Sequence, residues 1–382
     1  MTDPFETAER QALRGTVREF VEADALPGLE EWERSGELPR ELHRRAGELG
    51  LLGVAFPEDV GGGGGDLADA ITVVEAIHEA GGSGGLVASL LTCGIALPHI
   101  VDGGDAAQID RWVRPTLGGE MIGSLAITEP GGGSDVASIR TTARRDGDCY
   151  VVDGAKTYIT SGCRADFVTT AVRTGDAGAG GISLLVVERN TPGFTVSRKL
   201  EKMGWLCSDT AELTFDGCRV PVSNLVGAAG TGFAQLARHF VSERLTLAVQ
   251  AYATAQRALD LSLEWCRMRE TFGEPLIRRQ LVQHTLVEMA RKIDVARRYT
   301  RSVALSHLDG YDAIAEVCFA KNTAVEAGQW VVDQAVQLHG GLGYMREAEI
   351  ERHYRDMRIL PIGGGSSEIL TGLAAKRLGY TR

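Results

Sequence analysis

Paired cysteines are missing from this sequence. The seven that occur are scattered and form no C-x-x-C, so neither a zinc site nor a disulfide framework is expected. The eight histidines lack a tight metal-ligand spacing, and no metal centre is expected. No uninterrupted apolar window reaches about 18 residues, which argues against a membrane-spanning helix. The opening residues, Met1-Thr-Asp-Pro-Phe-Glu6, lack the basic-then-apolar order of a secretion signal. Basic charge is also in deficit: 40 Lys and Arg stand against 51 Asp and Glu, a net charge of -11. That balance disfavours nucleic acid or an anionic membrane as partner, while leaving room for a local basic patch. A cytoplasmic, reducing setting is the expectation.

What is present reads as a soluble, multidomain chain. With 382 residues, 44% apolar and 24% charged, it is long enough for roughly two or three domains. Phe5, Leu13, Val17, Phe20 and Val21 have helical spacing up to Pro27 and Gly28. Leu42, Ala46 and Leu49 suggest a further helix, and others are expected over 67–80, 85–101 and 105–114. Gly61 to Gly65 lacks a following Lys-Ser/Thr and reads as a flexible surface loop, not a phosphate loop. From about residue 120 the pattern becomes strand-like. Runs at Ile122–Thr128, Cys149–Val152, Tyr158–Thr160, Phe167–Arg173, Ile182–Val187, Phe194–Val196 and Glu212–Phe215 alternate with turn signals such as Asp153-Gly154 and Asp216-Gly217. They imply a small antiparallel β domain. Beyond Gly232 the periodicity returns to helical over 233–268, 281–308 and 312–338, lengths that suit a four-helix bundle and an oligomer core. The expected class is α+β, with a helical domain over 1–118, a β domain over 119–222 and a helical bundle over 223–382.

The stretch Leu125-Ala-Ile-Thr-Glu-Pro-Gly-Gly-Gly-Ser-Asp-Val136 invites a ligand. An apolar strand end stops at Thr128-Glu-Pro130, and three glycines leave a loop almost bare of side chains. Backbone N–H groups there can approach a flat or anionic group, with Thr128, Ser134 and Asp135 offering short polar contacts.

In that order of domains the chain resembles the acyl-CoA dehydrogenase family. The resemblance is carried by Thr128-Glu-Pro-Gly-Gly-Gly-Ser-Asp135, Gly154-Ala-Lys-Thr-Tyr-Ile-Thr-Ser-Gly162, Lys202-Met-Gly-Trp205 and Arg269-Glu-Thr-Phe-Gly273. Gln337-Leu-His-Gly-Gly-Leu-Gly-Tyr344, Tyr354-Arg-Asp-Met-Arg358 and Ile362-Gly-Gly-Gly-Ser-Ser-Glu-Ile369 complete it. The resemblance implies non-covalent FAD. Leu125, Ile127, Thr128, Gly133 and Ser134 would lie at the flavin edge, and Tyr158, Ile159 and Thr160 would cover one ring face. Arg269 and Thr271 match positions that reach the diphosphate of FAD held by a neighbouring subunit, and Phe272 and Gln280 match further cofactor-binding positions. Gln337, Leu338, Gly340 and Gly341 match the adenine-ribose-diphosphate loop, also across a subunit boundary, and Ser366 and Glu368 match positions near the cofactor. A homodimer, usually paired into a homotetramer, is implied. So are an acyl-CoA or carrier-protein thioester substrate and an electron acceptor such as electron-transfer flavoprotein.

The chain departs from the commonest family pattern where the catalytic base should stand. Gly364 occupies the glutamate position, Gly363 replaces a large aromatic, and Leu206 stands where arginine is frequent. Glycine keeps the backbone N–H that family members aim at the thioester carbonyl, so only the carboxylate is missing. Branches lacking that glutamate, including isovaleryl- and long-chain acyl-CoA dehydrogenases, carry the base at the helix position matching Glu243. Glu243 is therefore the expected base, with Ser134, Arg244 and Gly364 contacting substrate and Glu368 as the rival carboxylate. Two other readings keep the same fold: a flavin oxidase or monooxygenase acting on a non-thioester, or a catalytically silent FAD-binding homologue.

Overall fold

The computed structural model describes residues 3–381. Helix α1 (Ala8–Phe20) starts on the Thr7 side chain, which accepts from the Arg10 amide. It runs through a π turn, Val21–Ala25, into α2 (Leu26–Ser35). Pro27 therefore does not stop this helix as its sequence position suggested. It follows directly on the π turn, where the Leu26 N–H already reaches back to the Val21 carbonyl and the ladder is interrupted, and the left-handed Gly36 at φ 82° ends the run. Helices α3 (Arg40–Glu48) and α4 (Leu67–Glu79) follow, the latter opened by a reciprocal Asp66–Asp69 capping box.

The helix expected over 85–101 is instead three pieces: α5 (Gly84–Leu90), Cys93–Ala96 and Pro98–Gly103. Pro98 has no N–H with which to continue the ladder. The glycine run also differs from expectation. Its amides at 62, 63, 64 and 65 donate to the carbonyls of Pro57, Gly53, Phe56 and Val54. A Cβ on Gly62 would lie 2.1 Å from the Phe56 oxygen. These glycines permit close backbone contact, and the loop is packed rather than flexible.

The middle of the chain forms a single eight-stranded sheet. Its strands are β1 (Gly123–Ala126), β2 (Thr142–Asp146), β3 (Cys149–Thr160), β4 (Phe167–Arg173), β5 (Ile182–Glu188), β6 (Phe194–Lys199), β7 (Thr210–Pro221) and β8 (Leu225–Val226). They lie in the order β6-β7-β3-β2-β4-β5-β8, with β1 added on β4. Most pairings are antiparallel, but β1–β4 and β2–β4 are parallel. The two runs expected at 149–152 and 158–160 are one long strand. Its own core includes Tyr150, Val152, Val168, Leu185, Leu213 and Phe215.

Three long helices follow: α6 (Gly232–Met268), α7 (Gln280–Leu308) and α8 (Ile314–His339). The shorter α9 (Glu349–Met357) and α10 (Ser367–Arg377) pack on α8. Alanine-rich α6 and α8 pack most extensively together, small residues letting their axes approach. α4 docks on α6, so the N-terminal helices and the bundle share one apolar core. Among the described residues no single helix is long and apolar enough to cross a membrane, and no His/Cys/Asp/Glu group could hold a metal ion.

Candidate active site

The loop after β1 is anchored by a buried ion pair that the sequence did not single out. Glu129 accepts from the amides of Arg140 (2.7 Å) and Thr141 (2.8 Å) and from Lys156 Nζ (2.9 Å). Lys156, fully buried on β3, also donates to the Ile127 carbonyl at 3.0 Å. The Thr157 amide donates to the Thr128 carbonyl at 2.9 Å. Thr128 and the strand bearing Tyr158 are thus tied into one unit, with Gly131 to Asp135 exposed beside them.

Burial alone would raise the Glu129 carboxyl, but hydrogen bonds from Thr141 and Lys156 overcome it and hold the group at about 2. Burial pushes Lys156 down to about 8, against the support of Glu129, so both are charged at neutral pH. A carboxyl depressed from 4.5 stabilises the fold fully above its ordinary pKa. That stability is lost progressively as pH falls from the ordinary value through about 2. Glu129→Gln should therefore be less stable than wild type at pH 6, and the gap should narrow by pH 3 without closing. Urea unfolding at the two pH values checks this; an unchanged gap would contradict it.

Tyr158 is 70% exposed at φ 60°. The register between β3 and β7 slips by one residue between Lys156 and Ile159. This bulge turns the tyrosine out of the sheet into a conformation rarely adopted by a non-glycine residue. Ile159 stays buried, and the Thr160 carbonyl is held by Ser124 Oγ at 2.6 Å. Leu125 and Ile127 are half-buried below the loop, while Gly133 and Ser134 are exposed on it.

A second cluster forms where α6 meets the loop between α9 and α10. Glu243 lies deep in the fold yet keeps partial access to solvent. Among the described residues nothing donates a hydrogen bond to its carboxylate. Gly364 sits opposite at φ 64°. A Cβ built there would be 2.5 Å from Leu247 Cδ1 and 3.5 Å from Glu243 Oε1. The Glu243 carboxylate therefore occupies the space toward which a side chain at 364 would point. Arg244 Nε donates to the Gly364 carbonyl at 3.1 Å, its guanidinium over the Phe240 ring. Burial raises the Glu243 carboxyl above its ordinary 4.5, with Arg244 and Lys321 opposing the rise. Glu368, by contrast, is exposed in the first turn of α10, capped by Ser366.

The remaining residues gather at one end of the bundle. Trp265 joins them: its indole N–H donates to the Leu338 carbonyl at 3.1 Å and its ring stacks on His339 at 5.4 Å. The Arg269 guanidinium lies 5.9 Å from the same ring, exposed. The hairpin beyond carries Thr271 and Phe272, the latter 98% exposed at φ 52°, with Arg279 stacked on its ring. Gln280 opens α7, and exposed Gln337, Gly340 and Gly341 close α8. Among the described residues no hydrogen bond or ion pair joins this group to the Thr128–Tyr158 unit or to Glu243. Nothing in the structure explains Leu206.

The sequence outside these clusters points the same way. Residues 7–120, 124–218 and 230–379 match the N-terminal, middle and C-terminal domains of acyl-CoA dehydrogenase in turn. The chain belongs to the acyl-CoA dehydrogenase family. It is 38% identical over 376 residues to the mitochondrial long-chain specific acyl-CoA dehydrogenase of Rattus norvegicus, covering 97% of this chain and 87% of the relative. A Mycobacterium smegmatis protein assigned as an acyl-CoA dehydrogenase is 66% identical, with a TM-score of 0.99 over 100% of both chains. An acyl-CoA dehydrogenase from Bacillus anthracis, solved in complex with FAD, is 30% identical at a TM-score of 0.89, covering 99% of this chain and 69% of that one.

Acyl-CoA dehydrogenases are FAD-dependent oxidoreductases, and the residues present here fit a flavin. An aromatic ring is held outward by a bulge beside a loop of exposed glycines, which leaves a flat, accessible edge of backbone. The exposed arginine of the far cluster suits a diphosphate.

Proposed function

We propose that this acyl-CoA dehydrogenase converts an acyl-CoA to its trans-2-enoyl thioester with Glu243 as the base. The observation that carries the reading is the pairing of Glu243 with Gly364. A carboxylate with no hydrogen-bond donor of its own faces a backbone position that offers an N–H and no side chain. An α-proton beside a thioester is too weakly acidic for an unaided carboxylate, so the carbonyl oxygen needs a donor that strengthens as enolate charge develops. The Gly364 N–H supplies it. Burial raises Glu243 and makes it a better proton acceptor at neutral pH. Glu368 stands exposed and lacks that environment. Arg244 and Ser134 contact the substrate, and Arg244 also holds the Gly364 carbonyl in place.

FAD, when bound, supplies the acceptor for the β-hydride. Thr128, with Leu125, Ile127, Gly133 and Ser134, would hold its edge, and Tyr158, Ile159 and Thr160 one face. Arg269, Thr271, Phe272, Gln280, Gln337, Leu338, Gly340 and Gly341 would complete the site of a second copy in a homodimer or homotetramer. Ser366 and Glu368 belong to the near side. Electrons would leave to a carrier such as electron-transfer flavoprotein.

Anaerobic mixing with a series of acyl-CoA thioesters tests the reading: flavin colour should bleach and return slowly in air. Bleaching by an amine or nitroalkane with rapid reoxidation would favour an oxidase, and no bleaching by any thioester would overturn the proposal. Arg269→Ala should lower FAD retention about tenfold or more while sparing the helical fold, because an exposed phosphate-binding charge is lost and no core is cut. Equilibrium dialysis with FAD checks it; unchanged retention would remove Arg269 from the site.

A further inference from the structure

Lys321 neither abstracts the proton nor contacts the thioester, yet it is only 1% exposed. It lies on α8 among buried Ala320, Ala324 and Val325. Its ammonium reaches out of the helix to the Gly363–Gly365 loop, donating to the Gly363 carbonyl and, at 2.7 Å, to the Gly365 carbonyl. The Gly363 carbonyl and the Gly364 N–H belong to one peptide group. In a trans peptide these two point in opposite directions, and no cis bond occurs among the described residues. The ammonium thus grips the back of the peptide whose front is the Gly364 N–H, and that N–H meets no acceptor among the described residues. Arg244 Nε holds the next carbonyl in line, at Gly364.

We propose that Lys321 is a positioning residue of the proton-abstraction site: it fixes and polarises the Gly364 N–H toward the thioester carbonyl oxygen, while its charge acts on Glu243. The inference rests on the reading of Glu243 and Gly364 given above. A cation hydrogen-bonded to a peptide carbonyl draws charge from that peptide and makes its N–H a stronger donor. A neutral side chain of the same length could fill the space but could not do this. Burying an ammonium is costly, and here burial pushes Lys321 down to about 8, opposed chiefly by Glu243. The charged or titratable groups acting on Glu243 are Arg244 of its own helix and Lys321 of α8. Those acting on Lys321 are Glu243, Arg244 and Cys318.

Lys321→Met removes the donor and the charge while keeping the length; Lys321→Arg restores the charge. The readouts are the exchange of the substrate α-proton with deuterated water, followed by NMR, and the stretching frequency of a carbonyl-labelled thioester bound to the holoenzyme. Lys321→Met should slow exchange by roughly 10- to 100-fold, less than the loss of a direct oxyanion donor. The carbonyl frequency should move back toward its value in solution. The acid limb of the pH profile should shift upward, since a cation that lowered the Glu243 pKa is gone. An alkaline limb near pH 8 in the wild type should disappear in Lys321→Met and move to higher pH in Lys321→Arg, with partial recovery of rate.

Wild-type exchange with an unshifted carbonyl in Lys321→Met would overturn the proposal, as would a change confined to melting temperature. Should Lys321→Met fail to fold, an unmoved alkaline limb in folded Lys321→Arg overturns it equally. Glu243→Gln separates the two readings. If it exchanges at the wild-type rate, the base assignment itself has failed. If it abolishes exchange while Lys321→Met changes nothing, the base stands and only the role of Lys321 falls.

Discussion

Glu243→Gln should retain its FAD and its fold and slow flavin reduction by an acyl-CoA by at least the ~10²–10⁴ typical of losing a general base. The substitution keeps the shape beside Leu247 and Gly364 and removes only basicity. It leaves no hydrogen bond broken, because the Glu243 carboxylate accepts none among the described residues. Wild-type reduction should rise with pH through an apparent pKa above the ordinary 4.5, since burial disfavours the charged carboxylate. In Glu243→Gln that acid limb should vanish along with the rate. Rapid-mixing absorbance with a good substrate measures both. Flavin reduction at the wild-type rate in Glu243→Gln, together with its loss in the exposed-site variant Glu368→Gln, would transfer the role to Glu368.

The largest effect on stability is expected at Arg301. Glu75, 3% exposed on α4, is the centre of a buried network that ties the N-terminal helices to the bundle. Arg301 of α7 holds it with two hydrogen bonds, at 3.1 and 2.7 Å. Tyr252 Oη donates to it at 2.6 Å and Arg14 at 2.9 Å. The Arg301 guanidinium also lies 4.7 Å from the Phe5 ring. Burial would raise the Glu75 carboxyl, but Arg301 above all brings it below the ordinary range. Arg301→Met strips the main counter-charge from a desolvated carboxylate. That should cost about 3 kcal/mol, toward the low end for broken buried pairs because Arg14 and Tyr252 remain. The double variant Glu75→Gln/Arg301→Met should recover part of the loss, since no uncompensated charge is left. Thermal unfolding of the holoprotein checks both. A single variant that melts with the wild type, or a double variant worse than the sum of its parts, would refute the account.

The long helices were readable because their periodicity is strong. Spacing over 281–308 and 233–268 falls within a residue of the observed Gln280–Leu308 and Gly232–Met268. The sheet was only partly readable. β2 is Thr-Ala-Arg-Arg-Asp, with Ala143 alone buried, so it carries no alternating apolar signal; its place is fixed by pairing with β3. The parallel contacts of β4 depend on chain segments far apart in sequence, which composition cannot report. Tyr158 reads as a strand aromatic, and the bulge that turns it outward comes from pairing with β7.

The residues of the candidate site were found mainly through motif resemblance, whereas their supports were not. Glu129 and Lys156 sit inside two of the family motifs, but their mutual contact spans 27 positions. Lys321 gave a faint signal, one cation within a run of buried small residues. A helical stripe alone cannot tell a cation that reaches solvent from one that turns back to a loop 42 residues away.

The bare backbone at Gly364 also limits how a carboxylate could migrate between these two positions over generations. A side chain there would press 2.5 Å from Leu247 Cδ1 and 3.5 Å from Glu243 Oε1. On the proposed assignment of Glu243 as the base, a chain carrying acids at both places would be crowded and self-repelling, and one carrying neither would lack that base. On that assignment the two positions should be coupled, an acid at one being useful or harmful according to what the other carries. The methyl that stands in the way is the far end of a flexible side chain. A smaller residue at 247 would open a passable intermediate, making a position without acid–base chemistry the gatekeeper of where the acid can reside.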